Sequence, residues 1–322
     1  MSIVRRLIQE TVQISLICLK IMIPVSILIK GFSLLGVESY LANLFYPLMS
    51  LVGLPGECGI AWASAILTGV YGGVAAFNEL APSLSLTSAQ VSIWLLIIVM
   101  AHLLLVELRI GQKAGISLLY LGVLRIGGAL LCGAAVYHLC AFFKFFQEPF
   151  LAISREITQS ASLLEWIYSQ LYLYIKIVAI IFFIVALLRG IEKMNMNARI
   201  GKWLTPVLSP LGIGHHSTSL MMVGFCLGIT YGGGFVIQEA RSGKMSKKET
   251  FAVISFLSIA HALIEETVIM ALLGGKVIIL LGARVLSAWI FTWAALKGYD
   301  TLMQYNALKW RTRTELNRRP SD

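Results

Sequence analysis

Five histidines serve the whole 322-residue chain, and two of them, His102 and His261, stand in the same setting. Each follows an alanine inside an apolar run, each precedes a glutamate by five residues (Glu107, Glu266), and each is followed by an arginine (Arg125, Arg284). All of these pairs are 159 positions apart. Imidazole beside carboxylate can relay protons or ligate a metal, and imidazole with carboxylate suits iron, zinc or nickel. Glu265, four residues after His261, shares a helix face with it if the helix is continuous. His102, His261 and Glu265 are therefore the metal-ligand candidates. Copy one has Val106 where copy two has Glu265, so such a site is asymmetric. The competing reading is a neutral histidine donating to a backbone carbonyl where two helices touch.

Ionisable groups inside apolar runs are costly and face a cavity or a partner. Glu266 and Arg284 flank the turn at 274–276 at equal distance, which puts them at the same depth on an antiparallel helical hairpin. The repeat carries that geometry to the first copy. Two structural ion pairs are expected, Glu107 with Arg125 and Glu266 with Arg284. Lys20 and Lys176, in the first long apolar run of each copy, are candidates for an anionic substrate or for neutralising Glu57 or Glu265.

Two further apolar regions, 42–77 and 203–238, are interrupted by Gly53-Leu54-Pro55-Gly56-Glu57 and by Gly212-Ile213-Gly214-His215-His216. Such breakers argue against a straight helix and for a hairpin. Glycines at the tips let backbone approach a ligand closely. Gly53, Gly56, Glu57, Gly212, Gly214, His215 and His216 are thus read as substrate-binding, together with His102, His261, Glu265, Lys20 and Lys176. The alternative is that the glycines serve only the turns. Tyr71-Gly72-Gly73, recurring as Tyr231-Gly232-Gly233, reads as close helix packing through small residues.

The elements that must position these groups follow from composition. The chain is 58% hydrophobic and only 13% charged, whereas a soluble domain is about one quarter charged. That excludes a soluble enzyme, a secreted disulfide scaffold and a disordered regulator, and leaves a polytopic membrane protein. Five cysteines in or beside apolar runs read as small apolar residues. Long apolar segments near 11–30, 91–108, 115–141, 167–188, 250–273 and 277–297 give six spans. If each interrupted region returns to its starting side, 18 of the 26 basic residues fall on the side of the N-terminus. The positive-inside rule makes that side, and both termini, cytoplasmic.

Three crossings per copy turn the second copy upside down. The expected fold is all-α and polytopic, with two inverted-topology repeats, each of three spanning helices plus one broken re-entrant hairpin. The first repeat covers 1–147, an external connector 148–166, the second repeat 167–297, and a basic cytoplasmic tail 298–322. The tail after Trp310 is predicted to be disordered on the anionic cytoplasmic surface.

The run 53–57 followed by Tyr71-Gly72-Gly73, then Ala101-His102-Leu103 with Glu107, resembles the bacterial nucleoside-recognition Gate-domain membrane proteins. The second copy, from Gly212 to Gly233 and Ala260-His261-Ala262 with Glu265-Glu266, looks the same. Gate domains occur in concentrative nucleoside transporters and in ferrous iron transporter B. The resemblance covers 42–130 and 203–290, and implies a duplicated re-entrant gate and a role in transport. The Asn-Glu-Phe type segment of nucleoside transporters is replaced by Asn78-Glu79-Leu80, and the iron transporters' GTPase domain is missing.

No phosphate-binding loop, nucleophile elbow or zinc-protease motif is present, and the only aspartates are Asp300 and Asp322. The expectation is a non-enzymatic protein of the bacterial cytoplasmic membrane without a cofactor. It would move a small polar or anionic, nucleoside-like solute, coupled to an ion or proton. The alternatives are a divalent metal permease and a non-transporting membrane scaffold or regulator. The expected partners are the lipid bilayer and a small solute or ion, with no nucleic acid. A homo-oligomer or a separate membrane partner is left open.

Overall fold

Long apolar helices and short ones that start and stop inside the protein share this chain. A computed structural model describes residues 3–150, 162–194, 196–227, 234–239 and 242–316. The first half contains α1 (Ile3–Leu34), α2 (Val37–Ser50), α3 (Glu57–Thr68), α4 (Val70–Leu80), α5 (Ser88–Met100), α6 (Leu104–Lys113) and α7 (Leu118–Phe143). The second contains α8 (Leu163–Lys193), α9 (Met196–Leu208), α10 (His215–Leu227), α11 (Lys247–Ile259), α12 (Leu263–Leu272) and α13 (Arg284–Leu316). Among the described residues the only β pairing is one antiparallel bridge, Thr87 with Pro149.

Five helical stretches are long and apolar enough to cross a bilayer: in α1, α7, α8, α11 with α12, and the 278–301 stretch. A sixth is gained if α5 and α6, bent by 44° at their junction, form one span. These helices present leucine, isoleucine and phenylalanine outward, as Leu16, Ile27, Leu131 and Phe183 do. Exposed apolar stripes of that kind fit hydrocarbon, not water. α5 is different: Ile93 through Ile98 are wholly enclosed, as expected of a helix that is apolar all round.

Sequence signals start the inner helices. Thr87 and Gln90 form a reciprocal capping box on α5, and Ser246 caps α11 by accepting from the Glu249 amide. Their lateral partners are α7 and α13, which pack against α5 and α11. Contacts across the halves include Tyr120 with Ser255 (2.8 Å between hydroxyls) and the Lys276 amide donating to Ser92 Oγ at 2.9 Å.

The runs 91–108 and 250–273, read from the sequence as unbroken spans, are each broken at their histidine. α5 stops at Met100 and α6 resumes at Leu104; α11 stops at Ile259 and α12 resumes at Leu263. Hydropathy cannot see such a break, because the residues on either side of each histidine are apolar. Leu103 and Ala262 take left-handed conformations at φ 45° and 44°, a strain of about 1–3 kcal/mol for residues other than glycine.

The reversal of the first hairpin also lies elsewhere than the sequence suggests. The Gly/Pro run at 53–56 joins α2 to α3, whereas the chain turns back at Gly69, between α3 and α4, with φ 94° and ψ −177°. α3 and α4 then pack closely: a Cβ on Gly73 would lie 2.7 Å from the Ala65 Cβ. The corresponding Tyr231-Gly232-Gly233 lies outside the described residues.

Cys18, Cys58, Cys132 and Cys140 are buried and unpaired, as small apolar residues; the side chain of Cys226 lies outside the described residues. Of the connector 148–166, residues 151–161 are likewise outside them. The tail differs from expectation in that α13 continues as helix through Leu316, past Trp310.

Candidate functional site

Breaking a helix frees carbonyls at the end of its first half and amides at the start of its second. In α5/α6 and α11/α12 the freed groups converge on buried ionic side chains. Arg125 Nε donates to the Met100 carbonyl at 3.2 Å, and Arg284 Nε donates to the Ile259 carbonyl at 2.7 Å. Arg284 Nη2 also reaches the Val99 carbonyl of the other broken helix at 3.0 Å. Guanidinium therefore caps each helix C-terminus, where the macrodipole favours a cation. Glu107 and Glu266 sit in the first turns of α6 and α12, where it favours an anion.

The glutamates meet the arginines. Arg125 Nη1 pairs with Glu107 Oε2, and Arg284 Nη1 lies 2.7 Å from Glu266 Oε2. The second contact is one of charge, since its angles fall outside hydrogen-bond geometry. Both arginines are essentially inaccessible. Each carboxylate thus spends Oε2 on an arginine and turns Oε1 elsewhere.

What the Oε1 atoms face is the histidine pair. His102 Nε2 lies 3.3 Å from Glu107 Oε1 and 3.2 Å from Glu266 Oε1. His261 Nε2 lies 3.3 Å from Glu107 Oε1 and 3.8 Å from Glu266 Oε1. The two Nε2 atoms are themselves 3.3 Å apart. Each Nδ1 faces a carbonyl, that of Val99 at 3.1 Å for His102 and that of Leu257 at 2.8 Å for His261. A carbonyl can only accept, so each Nδ1 carries a proton and the ring turns Nε2 to the carboxylates. Two imidazole nitrogens and two carboxylate oxygens thus converge in a buried space, where a shared proton or another cation would hold them together. Such an arrangement wants a cation.

A backbone latch holds each break in place. The Leu103 amide donates to the Ala65 carbonyl of α3 at 2.9 Å, and the Ala262 amide donates to the Gly224 carbonyl of α10, also at 2.9 Å. Ala65 and Gly224 are again 159 positions apart. Matched local features recur elsewhere at this offset: Gly53 and Gly212 at φ 70° and 71°, and Ser50 and Ser209 each donating to the carbonyl of a proline three residues earlier at 3.1 Å.

The remaining candidates lie apart from this centre. Glu265 does not join His261, because His261 is in the break and not on α12. Its carboxylate instead accepts from the Tyr71 hydroxyl at 2.9 Å, so the third member of the ligand-capable group is Glu107, with His102 and His261. Glu57 opens α3 and lines a cavity of about 480 Å³ with Gly53 and Gln90. His215 and His216 are exposed at the start of α10, beside Thr205 (3.2 Å) and Glu239 (3.3 Å). Gly212 takes a positive φ in a turn, and the Gly214 amide donates to Glu249 at 3.0 Å. In the first copy a Cβ on Gly56 would lie 2.0 Å from the Ala42 carbonyl oxygen and one on Gly53 would strike the Tyr137 ring, so both glycines serve packing. Lys20 is exposed on α1. Lys176 lies over the Tyr172 ring and lines a cavity of about 350 Å³ with Lys276. The tip residues, the lysines and Glu265 thus do not assemble with the histidines.

No protein family matches the chain, and no solved structure matches it. It is similar to the uncharacterized membrane protein YvoD of Bacillus subtilis (strain 168), at 26% identity over 278 residues, 85% of this chain and 88% of the relative. The chain is an integral, multi-pass membrane protein. That fact gives the buried cluster its weight, since ionisable groups within a membrane span are costly, rare and paired with one another.

Sequence reasoning had Glu107 and Glu266 only as structural partners of the arginines. Their fixed five-residue spacing to the histidines, repeated in both copies, was the available signal for a shared centre. Tyr71 as the donor to Glu265 was not legible, since no pattern links residues 194 positions apart.

Proposed function

We propose that this protein is an ion-coupled secondary transporter of the cytoplasmic membrane, built as two inverted Gate-like repeats with both termini inside. The convergence of two imidazole nitrogens and two carboxylate oxygens where two broken helices meet carries this reading. Broken helices whose half-dipoles point at a buried ionic centre are a recurring way for transporters to bind ions. The cluster is the coupling site, and rocking of one repeat against the other exposes it alternately to the two faces. The cargo is a small polar or anionic, nucleoside-like solute, a choice that rests on the resemblance to Gate-domain proteins.

The test is flux in proteoliposomes holding a pH-sensitive dye, with a panel of labelled nucleosides, nucleobases and small carboxylates outside. Solute uptake that drives ion movement in the wild type, and that falls to background in the His102→Ala/His261→Ala variant, supports the reading. Absence of flux with every solute class, in protein that is folded and oriented, favours the non-transporting scaffold instead.

A further inference from the structure

We propose that His102, His261 and Glu107 form a binding site for a divalent transition metal of the zinc or iron(II) class, an assignment that rests on the cluster being a cation site. His102 Nε2, His261 Nε2 and Glu107 Oε1 form a triangle with three edges of 3.3 Å. A tetrahedral ion with bonds of about 2.0–2.1 Å separates its ligand atoms by ~3.3–3.4 Å. An octahedral ion at the same bond length needs ~2.8–3.0 Å edges. The three atoms therefore already stand where one face of a tetrahedron requires them. The fourth position is left for a cargo atom or water, because Glu266 Oε1, 3.2 Å from His102 Nε2 but 3.8 Å from His261 Nε2, lies off that vertex.

The surroundings have the form that metal ligands need. Each imidazole is oriented by donating Nδ1–H to a backbone carbonyl, and the ligating carboxylate is held through its other oxygen by Arg125. Partners of this kind fix ring orientation and carboxylate direction around bound metals. Nitrogen-rich donors select against calcium and magnesium, which prefer oxygen alone. Two arginines already neutralise both glutamates, so the metal arrives at a centre without excess negative charge. That disfavours tight retention and suits an ion that must leave again.

The experiment uses full-length protein in detergent, stripped with chelator and titrated with Co²⁺, whose visible absorption is strong only in tetrahedral sites. One Co²⁺ per chain with strong visible bands, displaced by Zn²⁺, is the expected result. His261→Ala or Glu107→Gln is expected to weaken binding by about 100-fold or more, the upper end of what outer-shell partners alone contribute. Glu265→Gln is expected to leave it unchanged. Should the cluster variants not fold, X-ray absorption on the zinc-loaded wild type decides: two imidazole nitrogens with oxygen at about 2.0–2.1 Å support the site. No stoichiometric Co²⁺ or Zn²⁺ in folded wild type, or binding that persists in the His102→Ala/His261→Ala variant, overturns it. Ion-coupled solute flux without any metal binding would sink the metal site and leave the transport reading standing. Metal bound without any flux would do the reverse.

Discussion

His102 and His261 turn their Nε2 atoms toward one another across 3.3 Å although 159 residues separate them in sequence. The same number separates the glutamates beside them and the arginines behind those. The recurring 159-residue spacing and spatial convergence therefore coincide at one buried centre. Its members are not equivalent, and the inequality has consequences for stability.

Arg284 satisfies two freed carbonyls, those of Ile259 and Val99, while Arg125 satisfies that of Met100. Arg284→Gln is expected to destabilise the protein by about 3–5 kcal/mol, because a buried carboxylate loses its partner. It should cost more than Arg125→Gln, since it removes a donor from a carbonyl in each half, leaving Val99 only His102 Nδ1–H. Adding Glu266→Gln to the Arg284 variant should recover part of the loss. Denaturation in detergent, run as a double-mutant cycle, measures this. Equal losses for the two arginines would refute the asymmetry.

Gly69 has the conformation φ 94°, ψ −177°, and a Cβ there would meet nothing nearer than Leu103 at 3.7 Å. The cost of Gly69→Ala is thus almost wholly backbone strain, about 1–3 kcal/mol. Gly127→Ala, within α7 and with open space around its Cβ position, is the control. It should be neutral or stabilising by up to about 1 kcal/mol. Thermal unfolding of the two variants side by side distinguishes the hairpin reversal from an ordinary helical glycine.

Much of this was readable in advance, and the reasons differ by element. The pairs Glu107–Arg125 and Glu266–Arg284 were accessible because helical rise and a tight turn fix relative depth without tertiary information. The helix breaks were not, because Ala101, Leu103, Ala260 and Ala262 carry no breaker signal. Their interruption is enforced by tertiary groups, the arginines and the hairpin carbonyls, that take over the freed hydrogen bonds. The sequence marks the region of the hairpin but not Gly69, where it reverses. Gly53-Leu54-Pro55-Gly56 is the louder signal, yet a single glycine at position 69 suffices to reverse a chain between two helices.

Tyr71 and Glu265 offer a test of separateness. Tyr71→Phe removes a hydrogen bond to a carboxylate, a change worth about 1.5–3 kcal/mol. The loss should vanish when Glu265 is also replaced by Gln, and neither change should alter metal binding at the histidines. Altered Co²⁺ spectra in Tyr71→Phe would mean that Glu265 communicates with the cluster after all.

The inverted arrangement is testable by accessibility. Single cysteines at positions 113 and 244 should react with an impermeant maleimide only from the cytoplasmic side, and one at position 276 only from outside. Labelling of 113 and 244 from opposite faces would end the inverted-repeat proposal.

The amides of Leu103 and Ala262 each hang from a carbonyl of a hairpin helix. In mechanical terms these are tie points: α3 is pinned to the α5/α6 break, and α10 in the same way to α11/α12. On the proposed transport reading, a displacement of α3 or α10 would reach the imidazoles through these bonds. An ion that drew those rings together would pull on both helices at once.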